Sequence, residues 1–207
     1  GNNFDRGHLT RREDLEFGRT PVDALKSAAD TCHWSNCTPQ HAKFNQTKEI
    51  WQGIERHILE DSIYNGRLNA QIFTGPLLDD GDPEYRHVKY PLRYWKVVAA
   101  LKESGDLFAT AYIASQEEVI AQFGIEATDV PFGPFKTFQT SVAEIERLTG
   151  LSFHTGSDGA TRLREFDPLN NLESVRTKRR GTWANENLAA RLPRGYFEIK
   201  ALDDIQT

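Results

Sequence analysis

The chain has 207 residues, 38% of them hydrophobic and 27% charged, which suits a globular domain with room for a sizeable core and excludes a disordered chain. No apolar run approaches the roughly 20 residues of a membrane span. The formal net charge of -5 counts against indiscriminate binding to phosphate backbones, although a local basic patch would suffice for directed binding.

In chain order, FDRGHL begins at Phe4; if it is extended, Arg6 and His8 share one face. Phe17 to Pro21 is a break, and Pro21 to Ala29 reads as a short helix. Thr38-Pro39 starts the next element. From Asn45 to about Ile63, Trp51, Ile54 and Ile58 recur at helical spacing, and Asn65-Gly66 ends the pattern. Gln71 to Thr74 reads as a short strand closed by Gly75-Pro76, followed by a polar turn from Asp79 to Tyr85. Tyr94 to Leu101 and Leu107 to Ala114 flank a Ser104-Gly105-Asp106 turn and predict an antiparallel hairpin. Ser141 to Thr149 predicts a helix, with Ser141 as N-cap, Glu144 three residues on and Gly150 as the stop. The texture changes near His154. Residues 156–207 read as a C-terminal extension of the domain at 1–155, either packed on it or forming a partly mobile arm.

The residues that carry chemistry lie in two stretches. In the first, Gly7 lets a ligand or another backbone approach closely. Arg6 can hold phosphate oxygens bidentately, and beside His8 it favours a neutral, proton-accepting imidazole. The second, HWSNCTPQHAKFNQTKEIWQGIE from His33, offers the amides Asn36, Gln40 and Asn45 and then Glu49 and Glu55. Asn45 and Glu55 fall within about 80° of each other around a helix, and such sparse ligation suits magnesium, which keeps most of its waters. On spacing alone Asn45 reads as an N-cap. Trp51, Trp95 and Phe108 read as core; Trp34 reads as packed, with stacking on a base as the alternative. Cys32, His33, Cys37 and His41 supply zinc-type ligands at loose spacing, a rival reading as a small zinc-binding module. Whether Cys32 and Cys37 are bridged stays open. Arg6, Arg11, Arg12 and Arg19, and later Arg176, Lys178, Arg179 and Arg180, form basic clusters, each a solvated face or a binding patch.

FDRGHL followed by WSNCTPQHAKFNQTKEIWQGIE, with IFTGPLL, YPLRYWKVVA and SVAEIERLTGLSF downstream, resembles the DNA/RNA non-specific endonucleases, the family of secreted bacterial sugar-nonspecific nucleases and mitochondrial endonuclease G. The resemblance covers about residues 1–155. It implies an α+β fold of the ββα-metal (His-Me finger) type, with an antiparallel central sheet flanked by helices. It further implies a magnesium-dependent endonuclease, with manganese as a substitute, that cuts DNA and RNA to 5′-phosphate and 3′-hydroxyl ends. By position, His8 matches the general base and Arg6 an arginine near the scissile phosphate. Asn45 matches the direct metal ligand, Asn36 an active-site asparagine on the substrate side, and Glu55 a glutamate that holds metal-bound water; Asp5 would be structural.

The family also has strands upstream of the DRGH motif, one with a further arginine, whereas three residues precede Phe4 here. A catalytically degenerate nucleic-acid-binding module is therefore the alternative reading. Partnership in a homodimer or with a protein inhibitor stays open. The absence of Met reads as a processed or trimmed chain, and no signal-peptide pattern opens it. A secreted or periplasmic bacterial location is favoured, with mitochondrial and cytoplasmic ones also fitting.

Overall fold

The computed structural model describes residues 3–46, 70–85, 87–101, 104–117, 120, 136–155, 159–170 and 196–199. Glu49, Glu55, the expected helix beyond Gln46 with Trp51, Ile54 and Ile58, and the basic cluster at Arg176 to Arg180 lie outside them. The chain divides into two compact units, Gly1–Glu60, Thr74–Tyr94 and Ala114–Lys136 against Asp61–Phe73, Trp95–Ile113 and Thr137–Thr207. Among the described residues no helix is long and apolar enough to cross a membrane.

In the first unit, β1 (Phe4–His8) pairs antiparallel with β2 (Cys37–His41), in a register that sets Phe4 against His41 and His8 against Cys37. Between them comes α1 (Pro21–Asp30). Its start combines Pro21 in the first turn with a reciprocal cap: the Asp23 N–H donates to the Thr20 hydroxyl (3.2 Å) and the Thr20 N–H donates to the Asp23 carboxylate (3.1 Å). A 3-10 turn, Trp34–Asn36, leads into β2, and α2 (Ala42–Gln46) follows β2 directly. The result is a strand-strand-helix unit assembled from sequence-distant pieces.

Buried polar groups hold that unit to the chain around residues 90–94 and 116. The Tyr94 hydroxyl donates to Pro39 O (2.7 Å) and accepts from Gln116 Nε2 (3.2 Å). Gln116 is fully buried; its Oε1 accepts from the His41 N–H (2.9 Å) and its Nε2 also donates to Pro91 O (2.7 Å). The amide is thus satisfied at both ends, as burial requires. Burial raises the Tyr94 phenol well above its usual range, so the hydroxyl stays a donor. Phe44 stacks on Tyr94 with ring centroids 5.4 Å apart, and Phe4 packs on Tyr90 at 4.3 Å and edge-on to His41 at 5.7 Å. Two short strands, β4 (Glu84–Tyr85) and β5 (Val88–Lys89), pair antiparallel beside them in sequence.

A five-stranded sheet is built from β3 (Ala70–Leu77), β6 (Arg93–Leu101), β7 (Leu107–Ser115), β8 (Lys136–Thr140) and β11 (Phe197–Glu198). Their order across it is β11-β8-β7-β6-β3. β6 and β7 are neighbours joined by a connection too short for a crossover, which makes them an antiparallel hairpin as expected. Both are buried along nearly their whole length, so they read as continuous rather than alternating apolar runs. The expected stop at Gly75-Pro76 does not occur: β3 runs through both residues to Leu77. Its position at the sheet edge explains this, because an edge strand tolerates a proline that cannot donate to a neighbour.

In the second unit, α3 (Val142–Thr149) begins as expected, with the Glu144 N–H donating to the Ser141 hydroxyl (3.1 Å), and stops at Gly150, whose φ of 71° suits glycine. Val142 and Ile145 are its buried positions. Trp95 is buried and meets Phe153 at 5.6 Å, and Phe73 meets Phe153 at 5.4 Å; Phe108 is half-buried. A small hairpin, β9 (His154–Thr155) with β10 (Thr161–Arg162), precedes a 3-10 turn at Leu163–Phe166. β11 pairs antiparallel with β8.

Candidate active site

The strand β1 carries three of the chemically notable residues. Alternation puts Arg6 and His8 on one face of it and Asp5 and Gly7 on the other. His8 is the last residue of β1; its Nε2 is buried and, among the described residues, has no hydrogen-bond partner. Arg6 is exposed, with Cζ lying 5.3 Å from the centroid of the Trp34 ring. Trp34 is 73% exposed, so the expected packing of this indole is overturned: it sits on a short turn at the surface, with a guanidinium over its ring.

Asn45, in α2, donates its Nδ2 to Asp5 Oδ2 at 3.0 Å. This bond ties the helix back to β1 and fixes which end of the carboxamide is committed. The nitrogen belongs to Asp5, so the carbonyl Oδ1, the harder donor atom that a hydrated divalent cation prefers, is the end left to face a ligand. That donor chemistry fits a magnesium-type site.

Asn36 uses its whole side chain on the main chain. Oδ1 accepts from the Thr10 N–H (3.0 Å), and Nδ2 donates to Thr10 O (2.9 Å) and Thr31 O (2.9 Å). Its own carbonyl accepts from the Leu9 N–H (2.9 Å). Asn36 therefore clamps the residues that follow His8 to the end of α1, and so governs where the imidazole is held.

Gly7 is close-approached by a side chain. The Gln40 side chain fills the space where a Cβ at residue 7 would project. Gln40 is fully buried, and among the described residues neither Oε1 nor Nε2 has a hydrogen-bond partner. In the sequence Gln40 is one amide among three, with no role of its own. The signal for it was the glycine in mid-strand, which implies that some group occupies the missing side chain's volume.

The zinc reading fails on geometry. His41 is buried against Phe4, Cys32 and His33 are exposed, and among the described residues no three His, Cys, Asp or Glu side chains could hold a metal together. Cys32 and Cys37 are free thiols. Two of the four arginines crowded at the start are paired locally: Arg11 with Asp14 (2.8 Å) and Glu13 (3.8 Å), and Arg12 with Glu16 (3.6 Å).

The sequence pattern of the DNA/RNA non-specific endonuclease family matches residues 1–160. The chain is 37% identical over 157 residues to a protein described as uncharacterized protein y4fB of Sinorhizobium fredii (strain NBRC 101917 / NGR234). That match covers 73% of this chain and 23% of the relative, so the chain spans about a quarter of that protein's length. Among solved structures, the fold is similar to one described as the crystal structure of the EndoG/EndoGI complex and the mechanism of EndoG inhibition. The TM-score is 0.51 and the identity 21%, with 78% of this chain and 66% of that chain covered. The antiparallel β1–β2 pair with α2, the mixed α+β content and these matches agree with a ββα-metal fold, and the chain belongs to the DNA/RNA non-specific endonuclease family.

Proposed function

We propose that this chain hydrolyses phosphodiester bonds in DNA and RNA without sequence preference, leaving 5′-phosphate and 3′-hydroxyl ends. The observation that carries the reading is the Asn45–Asp5 bond, which joins a candidate cation ligand to the strand that ends at the candidate base, His8. His8 takes a proton from water. Because Nε2 is buried, Nδ1 is the nitrogen left to receive it. The new P–O bond forms as the P–O3′ bond breaks, and the departing oxygen takes a proton from solvent. Arg6 binds a phosphate oxygen and keeps the phosphorus in line with the attacking water. Asn36 holds the Leu9–Thr10 turn so that the imidazole keeps its place. Asn45 Oδ1, with Glu55 through water, would hold magnesium or manganese. Such a cation, when bound, supplies neutralisation of phosphate charge and stabilisation of the leaving oxygen.

The test is cleavage of supercoiled plasmid and of single-stranded RNA with magnesium and then with chelator, followed by end-group analysis. Cleavage of both substrates that stops on chelation is expected. His8→Ala should lose roughly 10² to 10⁴ in rate while retaining its magnesium response. Asn45→Ala should raise the magnesium concentration needed for half-maximal rate. Cleavage by His8→Ala at the parental rate would remove His8 from the mechanism, and tight binding with no cleavage by the parent would favour the degenerate, binding-only alternative.

A further inference from the structure

We infer that the exposed indole of Trp34 is a stacking platform for one unpaired nucleobase beside the cleaved bond, so that single-stranded nucleic acid is the preferred form of the substrate. The inference deepens the nuclease reading and rests on it for the identity of the bound polymer. Three observations carry it. Trp34 is 73% exposed, and a solvent-facing indole has a free apolar surface that a nucleobase can cover. The Arg6 guanidinium lies over the same ring, 5.3 Å from its centroid, and has no carboxylate partner among the described residues, so a positive charge is held at the indole to meet the phosphate attached to a base stacked on the ring surface it leaves open. The turn that bears Trp34 is fixed rather than loose: Asn36, at its other end, is bonded through backbone and side chain to Leu9, Thr10 and Thr31. The indole is thereby tied to the two residues immediately after His8.

A base in a duplex is stacked on both faces and paired, so it must be unstacked before it can cover an indole; a base in a single strand need not be. Stacking on an aromatic residue changes affinity by about five- to 150-fold per base, and that advantage goes to the single strand.

The experiment has two arms. In the first, binding of an oligothymidylate to the His8→Ala protein is followed by tryptophan fluorescence, and again in His8→Ala/Trp34→Phe and His8→Ala/Trp34→Ala. Trp34 should account for most of the quenching, and the Trp34→Ala change should weaken binding at least fivefold while Trp34→Phe keeps most of it. In the second, kcat/KM is measured on single- and double-stranded DNA of one sequence. The ratio of single- to double-stranded values should exceed one in the parent and fall at least fivefold in Trp34→Ala, through KM. An equal loss on both substrates would overturn the inference and leave Trp34 as a support for Arg6; no loss on either would overturn it outright. Quenching and weakened binding in the absence of any parental cleavage would sustain the platform and sink the nuclease reading instead.

Discussion

At the residue scale, Gly7 and Gln40 define how tightly β1 lies on its neighbours. A methyl group at residue 7 would overlap the Gln40 side chain, which is fully buried and would have to shift against its neighbours. Overpacking of this kind costs about 1 to 3 kcal/mol. Gly7→Ala should therefore lower stability by that amount in urea unfolding, and Gly7→Ala with Gln40→Ala should recover a large part of the loss, because the second change empties the contested volume. Equal stabilities for the single and double variants would show that the glycine is there for another reason. The same scale explains Asp5. Its carboxylate is an acceptor for Asn45 Nδ2, so Asp5→Ala should copy a good part of the Asn45→Ala effect on magnesium response without touching the cation itself.

At the element scale, the start of α3 is built around a buried acid. Asp167 Oδ2 accepts from the Val142 N–H (2.5 Å) and Oδ1 from the Leu169 N–H (2.9 Å), so it satisfies one of the free amides at the N-terminus of α3. Burial pushes its carboxyl up from 3.8 to about 6, against the lowering effect of those two N–H groups. The sign follows from proton binding. Between pH 3.8 and about 6 the folded chain holds this proton more often than the unfolded chain does. Its contribution to stability is therefore complete below that window and is lost as pH rises through it, by on the order of 3 kcal/mol. Urea unfolding at pH 4 and pH 6.5 should show a steeper decline for the parent than for Asp167→Asn, which has no proton to lose. Matching declines would contradict the raised carboxyl. Ser141 caps the same turn, and Ser141→Ala should cost about 1 kcal/mol by the same measurement.

At the scale of the whole molecule, charge decides how the chain meets a polyanion. The formal net charge is -5, and among the described residues the N-terminal arginines Arg11 and Arg12 are already paired with acids. Among the described residues, Arg6 is the cation on the His8 face of β1, and it stands without a carboxylate partner there. Binding of the His8→Ala protein to single-stranded DNA should thus weaken only gently with salt, with a log–log slope of about -1 to -3, since each phosphate contact on a single strand contributes about -0.7. A slope steeper than about -5 would reveal a broad basic surface and refute this reading of the charge.

Sequence alone determined what depends on near neighbours. The hairpin of β6 and β7 followed from two strand-forming runs around Ser104-Gly105-Asp106, and α3 followed from Ser141, Glu144 and Gly150, because turns and caps are made within a few residues. The pairing of FDRGH with the SNCTPQ-FNQ stretch was legible through resemblance, since spacing alone read Asn45 as a cap. Only the tertiary structure decided which atoms meet. Asn45 reaching Asp5, Asn36 bonding Thr10, Gln40 occupying the space above Gly7 and Trp34 standing in solvent under Arg6 are contacts between residues remote in the chain. Such contacts arise when strands register and side chains compete for one volume, and no local pattern of residues encodes the outcome of that competition.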